Sequence, residues 1–186
     1  MRIACLLADG FEELEAIGTI DLLRRSGITV DLFAFQNGKS IVGSHGIVVS
    51  SEWPYSIMDT QIYDGILIPG GGKQSETLRN DESVRKMVQD FHKNGKWLMA
   101  ICAGPTVFGA AGLMKNIHYT SFPGTEKHIP GGIKEEKSVV VDGKIITGAG
   151  AGATIEFALA IIETLLGSEK KAEMANRIVF RTYERR

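Results

Sequence analysis

The stretch that decides the fold is Lys96-Trp97-Leu98-Met99-Ala100-Ile101-Cys102-Ala103-Gly104-Pro105-Thr106. Lys96–Ile101 is short and almost continuously apolar, the pattern of a strand buried on both faces. An apolar helical stretch follows from Val107, so Cys102 sits on a strand-to-helix turn, the geometry of a nucleophile elbow. Small Ala100 and Gly104 leave room for a strained backbone at the cysteine. The amides of a helix N-terminus favour thiolate over thiol, so a lowered Cys102 pKa is predicted. The alternative is a buried cysteine acting as a small apolar residue; its place at a strand end before Ala-Gly-Pro favours the reactive reading. Cys5, in mid-strand between Ala4 and Leu6, is read as inert core.

Ile3–Ala8, Thr29–Phe35 and Gly65–Ile68 share the strand pattern, each bounded by Gly, Asp or Pro. Helical periodicity falls between and after them: Glu12–Ser26, with Leu14, Ile17, Leu22 and Leu23 on one side; Glu82–Asn94, with Val84, Met87, Val88 and Phe91; and Thr154–Leu166. This alternation predicts an α/β sandwich on a mostly parallel sheet, with ligands bound beyond the carboxyl ends of the strands. Ser138–Val141 and Lys144–Thr147 flank Asp142-Gly143, a type I′ hairpin signal, and Ile41–Ser50 is expected to form short antiparallel pieces. No repeat or Pro/Ser-rich linker interrupts the chain, so residues 1–186 read as one domain.

Composition narrows the function classes. The chain of 186 residues is 44% hydrophobic and 23% charged, a globular balance. Its 21 Lys+Arg against 22 Asp+Glu lack the basic excess that nucleic-acid binding requires. The apolar run after Met1 ends at Asp9, too short for a secretory core or a membrane span, and the expected location is cytoplasmic. With two cysteines in a reducing compartment, no structural disulfide is expected between Cys5 and Cys102. Glycine, at 22, is the outlier, and its turns are where chemistry is sought.

The first strand ends at Asp9-Gly10-Phe11-Glu12-Glu13-Leu14-Glu15, a carboxylate-rich helix start. Capping accounts for Glu12 and Glu13. Glu15 either faces solvent or points toward neighbouring strand ends; buried beside Cys102, it would have a raised pKa and act as a proton donor. Pro69-Gly70-Gly71-Gly72 either makes a plain tight turn or offers backbone amides to a developing oxyanion. It is not a phosphate-binding loop, because Gln74 follows Gly72-Lys73. Gly148-Ala149-Gly150-Ala151-Gly152-Ala153 fits G-x-G-x-x-A only formally, since a hairpin strand precedes it and too little chain follows. No cofactor is therefore expected. Of the four histidines, none stands in a zinc-ligand spacing, and metal binding is not expected. His118 or His128 could reach Cys102 through folding, or be a surface or loop residue.

Ala100-Ile101-Cys102-Ala103-Gly104-Pro105, with Gly10-Phe11-Glu12-Glu13-Leu14-Glu15 and Pro69-Gly70-Gly71, resembles the ThiJ/PfpI superfamily, and within it the parkinsonism-associated protein deglycase branch. The resemblance extends through Asp21–Gly27 and Thr154–Ala160, over nearly the whole chain. It implies a flavodoxin-like three-layer sandwich and a homodimer. It also implies a catalytic Cys102 with Glu15 as carboxyl partner, an oxyanion pocket from the Gly71 and Ala103 amides, and Gly70 shaping the turn. The implied activity is glyoxalase III-like or protein deglycase, on reactive dicarbonyls or their adducts; the alternative is a redox-sensing stress protein or chaperone with an oxidisable Cys102. Two departures matter. Ala103 stands where peptidase-like members carry histidine, which disfavours a protease, and Phe122 stands where human-type members place a histidine near the cysteine. A thiamine-pathway role finds no phosphate-gripping motif.

Overall fold

Short runs that are apolar on both alternating faces need helices above and below them. The computed structural model of the chain, which describes residues 1–36 and 38–181, has this arrangement. In chain order the strands are β1 (Arg2–Leu7), β2 (Thr29–Ala34), β3 (Ser40–Val42), β4 (Val48–Ser50), β5 (Trp53–Pro54), β6 (Gly65–Ile68), β7 (Trp97–Ile101), β8 (His118–Tyr119), β9 (Ile133–Lys134), β10 (Val139–Asp142) and β11 (Ile145–Gly148). The α-helices are α1 (Glu13–Arg25), α2 (Gly72–Asn80), α3 (Glu82–Lys93), α4 (Pro105–Ala110), α5 (Thr154–Leu166) and α6 (Ser168–Arg177).

A seven-stranded sheet runs β10-β11-β7-β6-β1-β2-β5, parallel except for the β10–β11 hairpin. The run β2-β1-β6-β7-β11 is the flavodoxin-like strand order, so the predicted α/β/α sandwich is the fold. Period-two alternation sorts the core. Ile3, Cys5 and Leu7 pack with α1, α5 and α6, whereas Ala4, Leu6 and Ala8 pack with α2, α3 and α4. No helix among the described residues is long and apolar enough to cross a membrane.

Two readings are corrected, and two helices lack a sequence signal. Helix α1 does not bury Leu14 and Ile17, which are 58% and 43% exposed; it buries Glu15, Ala16, Thr19, Ile20, Leu22 and Leu23. Leu14 and Ile17 lie across the helix from Leu23 at 100° per residue, so one stripe cannot hold all four leucine and isoleucine positions. The hairpin pairs Asp142 with Ile145, placing Gly143-Lys144 in the turn. Gly143 alone of that pair has a positive φ, at 56°, the pattern of a type II′ turn. Finally, α2 and α6 carry little apolar periodicity: α2 buries Gln74, Ser75 and Leu78, and α6 only Met174.

The order of strands matters for the site. The order in which strands are added to the sheet switches direction between the parallel neighbours β1 and β6, and beyond their carboxyl ends lies the crevice where such sheets bind ligands. β7 pairs with β6 and ends beside the same crevice.

Candidate active site

Each of these adjacent strand ends supplies one component. After β1, the chain turns through Gly10, at φ 84°, and Glu12 caps α1 by accepting the Glu15 N–H at 2.7 Å. This fixes the first helical turn and directs Glu15 inward, where it has no solvent exposure. After β6, the Gly70 N–H donates to Glu15 Oε2 at 2.8 Å. A Cβ on Gly70 would stand 2.5 Å from Glu15 Oε2 and 3.0 Å from Cys102 Sγ, so only glycine fits between the two side chains. Gly71, at φ 102°, faces the Gly10 carbonyl so closely that any side chain would collide with it.

After β7, Cys102 adopts φ 63°, a left-handed conformation rare for a residue with a side chain. Two neighbouring segments over-determine it: the Cys102 N–H donates to Gly148 O at 2.9 Å, and its carbonyl accepts the Phe122 N–H at 2.9 Å. Gly104 packs against the Ile68 carbonyl with no room for a Cβ, as the small flanking residues implied.

The thiol and the carboxyl face each other across Gly70, and both titrate abnormally. Burial pushes Glu15 up to about 7, against the hydrogen bonds from Cys102 and the Gly70 amide, with the Glu12 charge adding to the rise. The expectation of a lowered Cys102 pKa is overturned: burial, then the Glu15 charge and hydrogen bond, push the thiol up to about 12. The Ala103 and Gly71 amides lie against the sulfur and favour the thiolate, as predicted, but are outweighed. Protonating Glu15 removes both of its contributions and leaves burial, the largest cause, so the thiol is the more firmly protonated partner and Glu15 the one that titrates near neutrality.

Gln74 was not singled out as a site residue. It is fully buried, accepts the Ala8 N–H at 2.7 Å and donates to Pro69 O at 2.8 Å and Gly70 O at 3.2 Å, tying the end of β1 to the glycine turn. The only signal was an amide side chain soon after a Gly-rich turn. His118 and His128 are placed elsewhere: His118 pairs with Glu135 at 2.7 Å, and His128 titrates low through burial and the charges of Arg79 and Lys127. Cys5 is fully buried, and burial raises its pKa.

Glu12, Glu13 and His45 bring potential ligand atoms within 4.8 Å of one another. Those atoms already have partners: besides the Glu12 cap, Glu13 takes the His45 N–H at 2.6 Å, the His45 ring at 2.9 Å and the Ser44 hydroxyl at 3.0 Å. Against the upward push of burial, these bonds hold Glu13 at about 2. They fasten the β3–β4 hairpin over the start of α1. A cavity of about 840 Å³ lies away from Cys102, between α1, the start of α5 and residues 177–181.

Fold and site together define a flavodoxin-like sandwich with a cysteine on a positive-φ strand-to-helix turn, facing a buried glutamate. The chain belongs to the DJ-1/PfpI family, which residues 1–164 match. It is similar to Arabidopsis thaliana protein DJ-1 homolog B, 36% identical over 182 residues, 97% of this chain; it spans only 42% of that relative's length. It is also similar to the Caenorhabditis elegans protein named glutathione-independent glyoxalase DJR-1.2, 35% identical over 86% of this chain and 85% of that one. Among solved structures, a mutant of a DJ-1 superfamily protein from Salmonella typhimurium superposes with a TM-score of 0.91 at 34% identity, covering 97% of this chain and 99% of that one.

The shifted carboxyl makes stability depend on pH. Folded Glu15 holds a proton that the unfolded chain releases from about pH 4.5, so stability falls as pH rises from there through about 7. Glu15→Gln, which carries no charge, should remove that slope. By urea unfolding at pH 5 and pH 8, the native protein is expected to lose about 1–3 kcal/mol more than the variant. Equal losses would show a solvated carboxyl.

Proposed function

We propose that the chain is a cofactor-independent enzyme acting on reactive dicarbonyls or their early adducts, with glyoxalase III-like or protein-deglycase activity. The observation that carries this reading is the fully buried Glu15 carboxyl facing Cys102 across Gly70. A carboxyl titrating near 7 both gives and takes a proton at neutral pH, as general acid–base catalysis requires. The name of the Caenorhabditis elegans relative supports the same chemistry.

For methylglyoxal, proton transfer between the pair leaves Glu15 neutral and Cys102 as thiolate. The sulfur attacks the aldehyde carbon; the C–S bond forms, and the carbonyl π electrons become an alkoxide held by the Gly71 and Ala103 amides. Glu15 protonates that oxygen, and its carboxylate then removes the proton on the former aldehyde carbon and returns it to the adjacent carbon. The hydroxyl proton passes from the first oxygen to the second as the first becomes the thioester carbonyl, and the result is a lactyl thioester on Cys102. Water cleaves the C–S bond, releasing lactate and restoring the Cys102 thiol. Methylglyoxal plus water gives lactate with no net oxidation, which is why neither glutathione nor a redox cofactor is needed. Gly70 positions both side chains, and Phe122 supplies no proton, so Glu15 carries every transfer.

The test is methylglyoxal consumption with lactate detection, without glutathione and after metal chelation. Native protein should form lactate, Cys102→Ser none, and Glu15→Gln at least about 100-fold less. Folded native protein that forms no lactate overturns the proposal.

One observation favours a second reading. Glu15 Oε1 is buried without a partner beside the sulfur, a place for a protonated carboxyl to donate to an oxygen added on Cys102. Peroxide would transfer two oxygens in successive steps, each releasing water, to give a sulfinate held by Glu15 and the two amides. Mass spectrometry after mild peroxide should then show two oxygens on Cys102 and none on Cys5. Uniform or absent oxidation removes this redox-sensing alternative.

A homodimer is part of the proposal. Leu14 and Ile17 on α1 and Ile47 on the hairpin are exposed around a hollow of about 480 Å³ that Glu12, Glu13 and His45 also line. A contiguous apolar surface beside a site is suited to a partner. Light scattering should give twice the 20.2 kDa chain mass, and Leu14→Glu should lower it; a monomeric native mass refutes this.

A further inference from the structure

We propose, resting on the dicarbonyl reading, that Phe122 sets specificity: its ring is an apolar lip that selects α-oxoaldehydes bearing an aryl group over the small or polyhydroxylated ones. The ring is fixed in place without being buried. Its N–H donates to the Cys102 carbonyl, and Pro123 restricts Phe122 to extended backbone. Its own carbonyl accepts the Thr125 hydroxyl at 2.7 Å, while Thr125 Oγ1 lies 2.8 Å from Ser121 Oγ. On the other side, the buried Thr120 donates its N–H to Thr147 Oγ1 at 3.0 Å. A segment held this firmly nevertheless leaves its aromatic side chain 52% exposed.

The direction of the ring is informative. Its Cδ2 lies 3.6 Å from where a Cβ on Gly150 would stand, so it leans across to the loop after β11. That loop begins at Gly148, whose carbonyl accepts the Cys102 N–H. Phe122 therefore bridges the two segments that pin the cysteine backbone, and the loop it reaches, Gly148–Ala153, offers only glycine and alanine. Glu15, Gly70 and Gly71 come from the other strand ends. Strand order thus puts Glu15, Gly70 and Gly71 on one side of Cys102, and Phe122 with the Gly-Ala loop after β11 on the other.

A ligand matched to both walls has a dicarbonyl head and a flat apolar tail. Hydroxyl groups on the tail would lose water against alanine and phenylalanine without gaining a partner. An aryl tail stacks on the ring, and such pairs contribute about 0.5–1.5 kcal/mol beyond area burial, a rate ratio of roughly three- to tenfold.

Selectivity is read in two ways. Cys102 capture by iodoacetamide and by its N-phenyl analogue is timed by intact mass, in native protein, Phe122→Ala and Phe122→Leu. The kcat/KM ratio of phenylglyoxal to methylglyoxal is measured on the same three proteins. The aryl-to-alkyl ratio is expected to fall about three- to tenfold in Phe122→Ala, and by less in Phe122→Leu, which keeps bulk but not the π face. An alkylation ratio unchanged in both variants overturns the proposal, whatever the turnover. An alkylation ratio that falls while neither dicarbonyl turns over sustains aryl selection at Cys102 and removes the dicarbonyl reading instead.

Discussion

A carboxyl group with no access to water is the constraint on which this structure turns. Taking an ionised carboxylate out of solvent costs several kcal/mol unless other groups replace its hydration. Glu15 receives one backbone N–H, from Gly70, and one contact with a thiol, and its Oε1 has no partner. That is too little to hold a full charge comfortably, so the carboxyl titrates near neutrality beside the Cys102 thiol. The neighbouring geometry serves this contact. Gly70 lacks a side chain because both groups press against it, Gly71 turns through a positive φ, and Cys102 accepts backbone strain that two flanking hydrogen bonds hold in place.

The fold makes this arrangement inexpensive to assemble. In the order β2-β1-β6-β7-β11, the ends of β1, β6 and β7 are neighbours, so a helix start, a glycine turn and an elbow meet without any long loop. Gln74 locks two of those ends by bridging Ala8 to Pro69 and Gly70. The helix that presents Glu15 carries a consequence on its far side. Turning Glu15, Thr19 and Leu23 inward leaves Leu14 and Ile17 facing out, beside a hairpin that Glu13 and His45 hold down. The apolar surface and the buried acid are thus two sides of one choice of helix rotation.

Much of this was legible in the residues. Four parallel strands and three helices announced themselves by period, and the elbow at Cys102 by a strand run ending before Ala-Gly-Pro. Glu15 was legible as a candidate because it follows the first strand, but its burial was not, since a helix-borne glutamate ordinarily faces solvent. The direction of the Cys102 shift was misread for a related reason. The amides are local in sequence and visible there, whereas burial and the Glu15 charge arise from tertiary packing. Helix α2 and Gln74 were missed because a polar segment gives no apolar period. The hairpin turn slipped by one residue because Asp142-Gly143 and Gly143-Lys144 both place glycine at an allowed position, and only the strand pairing decides between them.

The facing thiol and carboxyl also bear on how the two chemical readings differ. Attack on an aldehyde and reaction with peroxide both need the thiolate, and both begin from the same transfer to Glu15, so the resting state of the pair does not separate them. The mouth of the site does. Peroxide is small and polar, and the Phe122 ring on the β11 side of Cys102 offers it neither a hydrogen bond nor a surface to fit. A carbon substrate with a tail beyond its reacting carbonyl must lie against something, and Phe122 is the large residue placed there. Its turn is tied by Cys102, Thr125 and Thr147 while its ring stays open to solvent. Under the specificity proposal, a ligand's aryl tail completes the burial of that ring, a contact that peroxide cannot make.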